Sequence, residues 1–135
     1  MQAAMKLGNP GPLRDRLVAS VLAGNKTATS ALRVYYEDEG LEIPAVGDRR
    51  QVLDSAEEPV ATVEVTGVRI MRMGDADMEL AHAEGAGFES VAEYRSRHEA
   101  VWASVILPNL KNVPAPALDD ETEVVVVRFR LIEQE

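Results

Sequence analysis

The chain has 135 residues and no cysteine, and its 14 lysines and arginines against 23 aspartates and glutamates give a formal net charge of −9 at pH 7. This length predicts a single domain, and the missing cysteines exclude disulfides, thiolate metal sites and a cysteine nucleophile. The negative charge argues against tight binding of long nucleic acid, which depends on cationic neutralisation of phosphates, but allows a small ligand in a locally positive pocket.

The N-terminus and the hydropathy pattern bear on location. No apolar run approaches the roughly 18 residues of a membrane span, and the first residues lack the basic start and apolar stretch of a secretory signal. Together with the absence of cysteine, this predicts a cytoplasmic protein with no membrane partner. The turn-forming run at residues 9–12, Asn-Pro-Gly-Pro, precedes the first periodic segment. We therefore expect residues 1–12 to form a flexible N-terminal segment.

The first half of the chain predicts one helix and two short strands. Apolar residues recur at helical spacing from Leu13 to Leu22, and Gly24 is placed to end that helix in a left-handed conformation. Lys26 to Leu32 predicts a strand, and the acidic stretch from Tyr35 to Gly40 predicts a loop. Beyond a second turn, Arg50 to Asp54 predicts another short strand.

The second half predicts two longer strands with helices between them. Valines alternate with polar residues after Pro59, which predicts the longest strand, and Gly67 predicts a bulge within it. Asp75 is predicted to cap a short helix that runs to about His82. A final strand is predicted from Thr122 to Ile132.

The clearest helix begins after Ser90, where Ser90 and Glu93 have the spacing of a capping box, and it ends before Pro108. Its predicted inward face carries Val91, Tyr94, His98, Val101, Trp102 and Val105. Because strands and helices do not alternate regularly, the order favours an α+β fold over a doubly wound parallel sheet. The expected architecture is a mostly antiparallel sheet or small β-barrel with helices packed around it.

Lys26, Thr27 and Thr29 are the first candidate functional residues. A threonine hydroxyl attacks a carbonyl once a base takes its proton, and a partly desolvated lysine is one such base. Glu84, on a glycine-flanked turn, could act as general acid or base or orient the lysine. On a regular strand, residues 26 and 29 point to opposite faces, so they converge only if Lys26 lies on the turn. The alternative is structural: Lys26 neutralises carbonyls at a helix end, the threonines are strand formers, and Glu84 ends a solvated helix.

A second group of candidates lies on the helix after Ser90. Tyr94 and His98 share one face with Arg95 adjacent, so a base or sugar could stack there. Tyr35, beside Arg33, could form an exposed stacking edge for an unpaired base. The alternative for the helix is that its aromatic residues are core and that His98 is hydrogen-bonded to backbone.

Metal chemistry has little support in the sequence. There are two histidines and no cysteine, which leaves a zinc site short of convergent donors, and we expect neither a metal nor a cofactor. The acidic runs at residues 37–39 and 119–121 are interpreted as solvated loops that would repel a polyanion.

Six sequence elements, taken in order, resemble the ASCH domains of the PUA-like superfamily. They are Leu22-Ala23-Gly24-Asn25-Lys26-Thr27-Ala28-Thr29, Pro44-Ala45-Val46-Gly47-Asp48, Val63-Glu64-Val65-Thr66, Ala81-His82-Ala83-Glu84-Gly85, Tyr94-Arg95-Ser96-Arg97-His98 and a closing strand that ends in Phe129. The resemblance covers nearly the whole chain. It implies a small PUA-like β-barrel surrounded by helices, with a cleft beside the helix-to-strand turn that is proposed in the family to bind RNA or a nucleobase.

The resemblance also implies roles for individual residues. One branch of the family hydrolyses the amide of N4-acylated cytidine with a Lys, Thr and Glu set, which falls here on Lys26, Thr29 and Glu84, with Thr27 as a neighbour. In that mechanism Thr29 attacks the acyl carbonyl, Lys26 activates it and Glu84 passes the proton to the departing amine. This sequence departs from that branch in the longer, acidic stretch of residues 30–43 and in having Tyr94 where the family usually has tryptophan.

The leading hypothesis from the sequence is a cleft that binds a modified pyrimidine nucleoside or a short RNA end, with hydrolysis of N4-acylated cytidine as the reaction to test. The second hypothesis is a non-catalytic module that binds RNA or a nucleotide. A third, a metal-assisted ribonuclease, would need carboxylates and substrate phosphate to hold its ion. The sequence predicts no oligomeric state.

Overall fold

The computed structural model of the protein describes residues 3–134. Its strands are β1 (Ala3–Met5), β2 (Ala28–Leu32), β3 (Arg49–Leu53), β4 (Pro59–Arg72) and β5 (Glu123–Gln134). They form one sheet in the order β1-β3-β4-β5-β2, and every neighbouring pair is antiparallel except β1 with β3. The predicted α+β fold is confirmed. The predicted closed barrel is wrong, because β1 and β2 stand at opposite edges of an open sheet.

Within residues 3–134, four α-helices accompany the sheet: α1 (Pro12–Leu22), α2 (Arg33–Glu39), α3 (Met78–Ala83) and α4 (Val91–Val101). The side chain of Ser90 accepts a hydrogen bond from the N–H of Glu93, as the capping box predicts. Asp77, rather than the predicted Asp75, caps α3 by accepting from the N–H of Leu80. After α4 the chain continues through a π-helical turn, Trp102–Ile106, before Pro108.

Two segments differ from their predicted conformation. Part of the predicted flexible segment 1–12 is ordered: β1 pairs with β3, and Leu7 is buried in the cluster under α1. Residues 1 and 2 lie outside the described part of the chain. The predicted loop from Tyr35 to Gly40 is largely the helix α2, which ends where Gly40 adopts a left-handed φ of 65°. Buried Asp38 fastens this helix by accepting hydrogen bonds from the N–H groups of residues 111–113.

Both faces of the sheet are covered, and the division between them positions the site. We call the side packed against α3 and α4 the α4 face. Its buried strand residues are Ala28, Leu32, Met71, Val124 and Val126. The opposite face carries Val65, Val125 and Val127, covered in part by Tyr36 of α2 and by Ile43. Side chains on the two faces therefore alternate along β2 and β5.

Helix α4 meets its face of the sheet through fewer residues than the sequence predicts. Tyr94 is fully buried and Trp102 is nearly so. Val101 and Val105, predicted to face inward, are 45% and 38% exposed. The predicted inward face assumes regular α-helical spacing along the whole segment. The chain becomes π-helical from Trp102, so that spacing does not apply to the residues that follow.

Candidate functional site

A buried polar group lies between β2, the end of α3 and α4. We call it the central cluster, and its members are Lys26, Ser30, Glu84, Tyr94 and His98. Lys26 comes from the turn that precedes β2, Ser30 from β2 itself, and Glu84 from the residue that caps the C-terminus of α3. Tyr94 and His98 stand one turn apart on α4, so they share a face of the helix.

The ammonium group of Lys26 is buried, and its hydrogen bonds account for all its hydrogens. Nζ donates to the carbonyl oxygen of Ala28 at 2.7 Å, to the carbonyl oxygen of Glu84 at 3.1 Å and to Glu84 Oε2 at 3.0 Å. Lysine has three N–H donors and no acceptor. Lys26 is therefore a charged clamp that joins the start of β2 to the end of α3.

Glu84 is an ionised carboxylate enclosed in the protein. Burial acts to raise its pKa, but the charge of Lys26, followed by the neighbouring His98 and Ser30, lowers the pKa to about 2. One oxygen, Oε2, is bonded to Lys26. The other, Oε1, lies 3.2 Å from Nε2 of His98 without the alignment of a hydrogen bond, and it has no hydrogen-bond donor among the described residues. Glu84 thus keeps one buried acceptor unused.

His98 lies against Glu84 Oε1 and is fixed by a bond at its other ring nitrogen. Its Nδ1 lies 2.9 Å from the carbonyl oxygen of Tyr94, which can only accept a hydrogen bond, so Nδ1 carries a hydrogen. Nε2 faces Glu84 Oε1 at 3.2 Å without hydrogen-bond alignment, so the imidazole covers that oxygen.

Tyr94 gives the cluster a rigid wall. Its hydroxyl donates to Ser30 Oγ at 2.8 Å, and burial, more than the nearby charge of Glu84, raises the pKa of the phenol. Its ring lies 4.4 Å from the His98 ring between centroids, and Phe88 and Trp102 pack around the same imidazole. The phenol therefore stays protonated and fixed, and it positions the Ser30 hydroxyl.

A backbone junction holds Lys26 and Glu84 together. Ser20 donates its hydroxyl to the carbonyl of Gly85 at 2.7 Å, and its own carbonyl accepts from the N–H groups of Asn25 and Lys26. Gly85 has a φ of +66°, and a Cβ placed there would lie 2.5 Å from Ser20 Oγ and 2.6 Å from Lys26 Cα. Only glycine fits this turn. The absence of a side chain at Gly85 therefore allows the turn after α3 to approach Ser20 and Lys26 closely.

The structure separates Thr29 from the other two members of the predicted catalytic set. Thr29 pairs with Val127, whose side chain belongs to the opposite face, whereas the next residue, Ser30, pairs with Val126 and reaches Tyr94 on the α4 face. Cross-strand partners share a face. Lys26 and Glu84 are brought together, and the hydroxyl beside them is that of Ser30.

The remaining predicted ligand residues lie in several places. Thr27 is exposed and contributes backbone hydrogen bonds to Ala83 and Phe129. Arg95 is bonded to Asp120 and Glu99, and these bonds, the one to Asp120 first, raise its pKa. Tyr94 and His98 are in the central cluster, as described above. Neither Thr27 nor Arg95 contacts that cluster through a hydrogen bond in the described chain.

Arg33 and Tyr35 lie on α2, away from the central cluster. Arg33 pairs with Glu123 at 3.0 Å and lines a separate groove of about 560 Å³ beside the proline-containing loop of residues 113–117. Tyr35 packs against the core and meets Tyr36 edge to face, with 6.1 Å between ring centroids. The two residues do not form a common surface with Glu84.

Two residues of the site, Ser20 and Ser30, escaped the sequence reasoning. Ser30 could have been found from strand alternation, because Ala28 and Leu32 are the apolar residues of this short strand and Ser30 stands between them on the same face. Ser20 carries no such signal, because its importance depends on a contact with Gly85, 65 residues away.

A small cavity lies on the α4 face next to the central cluster. It has a volume of about 200 Å³ and is lined by Gly67, Val68, Arg69, Val126 and Arg128. Val126 pairs with Ser30 across β2 and β5, and the charge of Arg69 acts on the Tyr94 phenol. No residue of the central cluster lines the cavity, but strand register places Val126 of its wall opposite Ser30, and two arginines make its lining cationic.

Two negative observations apply to residues 3–134. They contain no group of three or more histidine, aspartate or glutamate side chains placed to hold a metal ion. None of their helices is both long enough and apolar enough to cross a membrane.

The fold of this chain is similar to that of several solved structures. Protein EF3133 from Enterococcus faecalis has a TM-score of 0.83 at 22% identity, over 99% of this chain and 78% of its own. An ASCH domain from Lactobacillus crispatus has a TM-score of 0.80 at 19% identity, over 98% of this chain and 82% of its own. The hypothetical protein PH0355 has a TM-score of 0.55 at 16% identity, over 98% of this chain and all of its own.

Sequence comparison identifies the family. A search of proteins with curated functions finds no match. The family model described as ASCH domain matches residues 3–133, which is almost the entire chain. This agrees with the six sequence elements that resemble that family and with the structural likeness to an ASCH domain. The chain therefore belongs to the ASCH domain family.

Proposed function

We propose that this ASCH domain binds a nucleotide or a short nucleic-acid end on the α4 face, beside the central cluster, and does not hydrolyse it. The observation that carries the proposal is Glu84 Oε1, a buried, ionised carboxylate oxygen without a hydrogen-bond donor. Burying such an oxygen unpaired is costly, and an exception of this kind needs a reason. A base with an exocyclic amino group, such as cytosine, supplies the missing donor.

The local charge supports an anionic ligand despite the net charge of −9. Arg69 and Arg128 rim the cavity beside Ser30 and Tyr94, on the same face of the sheet. Membership of the ASCH family fits a nucleotide-binding or nucleic-acid-binding role. A long polyanion would meet the acidic remainder of the surface, so a short ligand is favoured.

Access to Glu84 runs past His98. The His98 side chain is 17% exposed and covers Oε1, whereas Glu84 itself is enclosed. Turning the imidazole aside would expose the carboxylate oxygen next to the Ser30 and Tyr94 hydroxyls. A base would then have a carboxylate acceptor, the Ser30 hydroxyl as a donor and an aromatic surface within one site.

Binding without turnover is favoured over hydrolysis of N4-acylated cytidine by Lys26, Thr29 and Glu84. Lys26 donates all three of its ammonium hydrogens to protein oxygens, so it has no lone pair with which to take a proton. The Thr29 hydroxyl is on the opposite face of β2 from the central cluster. The Thr29 hydroxyl would therefore not reach an acyl carbonyl bound beside Glu84.

The neighbouring variants Ser30→Ala and Thr29→Ala test the proposal, because they remove adjacent hydroxyls that point to opposite faces. Titration calorimetry with cytidine and cytidine monophosphate should give a loss of about 5- to 10-fold in affinity for Ser30→Ala, the value of one hydrogen bond, and no change for Thr29→Ala. Incubation of the wild-type protein with N4-acetylcytidine should release no cytidine. Release of cytidine that Thr29→Ala abolishes would overturn the proposal in favour of hydrolysis, and absence of any nucleoside or nucleotide binding would refute it altogether.

A further inference from the structure

The cavity beside the central cluster has two arginines in different states. Arg128 on β5 makes a two-pronged pair with Glu79 of α3, with Nη1 to Oε2 and Nη2 to Oε1 both at 2.8 Å. Arg69 on β4 forms no ion pair with any carboxylate in residues 3–134, and its guanidinium makes only a 3.7 Å contact with the sulfur of Met71. One arginine is therefore occupied by a surface carboxylate, and the other is unoccupied.

Strand register places these two guanidinium groups around one space. Arg128 pairs with Gly67 and Val126 pairs with Arg69, so the two arginines are diagonal neighbours on the same face, within reach of one another's long side chains. Gly67 has no side chain to fill the gap, and a Cβ added there would lie 3.8 Å from Arg128 Cβ. The register shift just before Gly67 sets this pairing, with Gly67 opposite Arg128 and two positions before Arg69.

The size and donor geometry of this space indicate its ligand class. A volume of about 200 Å³ is smaller than the roughly 300–1,000 Å³ typical of pockets that enclose whole ligands, so it suits one group of a larger ligand. Guanidinium groups bind phosphate through parallel N–H donors, in the same geometry that Arg128 has with Glu79. The Glu79 carboxylate, 68% exposed and outside the cavity lining, holds the two Arg128 donors that a phosphate in the cavity would need.

We infer that the Arg69–Arg128 cavity is a phosphate subsite and that Glu79 is an internal competitor which a ligand phosphate displaces from Arg128. This rests on the proposed function, since the phosphate is that of the nucleotide whose base lies at the central cluster. The exchange replaces one anion by another on the same guanidinium, so it needs no rearrangement of the sheet. Lys26 and Glu84 are not part of this subsite.

The inference is tested by titrating inorganic phosphate, followed by ³¹P NMR, and cytidine monophosphate, followed by calorimetry. Glu79→Gln removes the competing charge and should raise the affinity for both probes about three- to fivefold, the usual value of a surface ion pair. Arg128→Gln should weaken both about tenfold. Glu121→Gln is the matched control, because Glu121 is a similarly exposed carboxylate paired with Arg72 and removes the same charge elsewhere.

The outcomes separate the subsite from the proposed function. An unchanged phosphate affinity in Glu79→Gln, or the same gain in Glu121→Gln, would overturn the competitor role of Glu79. Equal affinity for inorganic phosphate and cytidine monophosphate would overturn the link between the subsite and a nucleotide. If phosphate binds and responds to Glu79→Gln while cytidine and cytidine monophosphate give no base-dependent affinity, the subsite stands and the proposed function fails. If cytidine binds and inorganic phosphate does not, the proposed function stands and the phosphate subsite fails.

Discussion

At the scale of single residues, the site depends on a charge pair that water does not reach. Lys26 and Glu84 are each about 3% exposed and are separated by 58 positions in the sequence. The residue types and the family resemblance both predict that Glu84 acts with Lys26, but the sequence alone does not predict that the pair is buried. A buried pair of this kind adds little net stability, but it becomes costly when one partner is removed. The pair therefore holds the junction of β2 and α3, and removing either partner is more destabilising than removing one partner of a surface ion pair.

Lys26→Met removes the ammonium group while keeping most of the apolar length of the side chain. Glu84 then stays in the interior without its cation, so we expect the free energy of unfolding to fall by about 3–5 kcal/mol. Urea unfolding at pH 7 measures the loss. Arg72→Met is the control, because Arg72 pairs with Asp75 and Glu121 in solvent and should cost less than about 1 kcal/mol.

The double variant Lys26→Met/Glu84→Gln tests whether the unpaired Glu84 carboxylate causes the loss of stability in Lys26→Met. If the unpaired carboxylate is responsible, the second substitution should restore a substantial part of the lost stability. A double variant as unstable as the sum of the two single variants would contradict a coupled buried pair.

At the scale of secondary-structure elements, the sequence predicted what depends on local chemistry. The cap at Ser90, the long strand β4 and its irregularity at Gly67 each arise from residues a few positions apart, and each is present. Helix α2 was predicted as a loop because much of what holds it is non-local, in the bonds from Asp38 to residues 111–113. The place of Ser30 on the buried face of β2 is not among the sequence predictions, although the apolar Ala28 and Leu32 on either side of it indicate that face.

Two glycines that follow α3 allow a direct test of the junction between elements. Both have positive φ, +66° at Gly85 and +81° at Gly87, so alanine at either position incurs a conformational cost of about 1–2 kcal/mol. At Gly87 nothing lies within 4 Å of the added Cβ. At Gly85 it meets Ser20 and the backbone of Lys26, and we expect roughly 1–3 kcal/mol of additional destabilisation.

Thermal unfolding followed by circular dichroism should therefore place the midpoint of Gly85→Ala clearly below that of Gly87→Ala. Cytidine affinity should fall in Gly85→Ala as well, since Lys26 and Glu84 would move apart. Equal midpoints for the two variants would mean that the close approach of Gly85 to Lys26 does not contribute to stability.

At the scale of the whole molecule, an acidic chain contains a carboxylate that the fold keeps ionised far into acid. The net charge of −9 produces mutual repulsion that weakens as carboxylates take up protons below pH 7. Glu84 has the opposite effect. Its pKa is about 2 in the folded protein against an ordinary value of 4.5, so in acid the unfolded chain binds a proton at this position before the folded one does. Its contribution is complete above about pH 4.5 and is lost as the pH falls towards 2.

The pH dependence of stability separates these two effects. The lowered pKa of Glu84 corresponds to roughly 3 kcal/mol at neutral pH, so Glu84→Gln should be less stable than wild type at pH 7 and the difference should shrink between pH 4.5 and pH 2. Urea midpoints at pH 7, 5, 4 and 3 measure it. Raising the salt concentration screens surface repulsion but leaves the buried pair nearly unaffected, so the shrinking difference should persist in high salt. A constant difference between the two proteins across this range would mean that Glu84 takes up its proton equally in both states, which would remove the basis for treating its unpaired oxygen as an ionised acceptor.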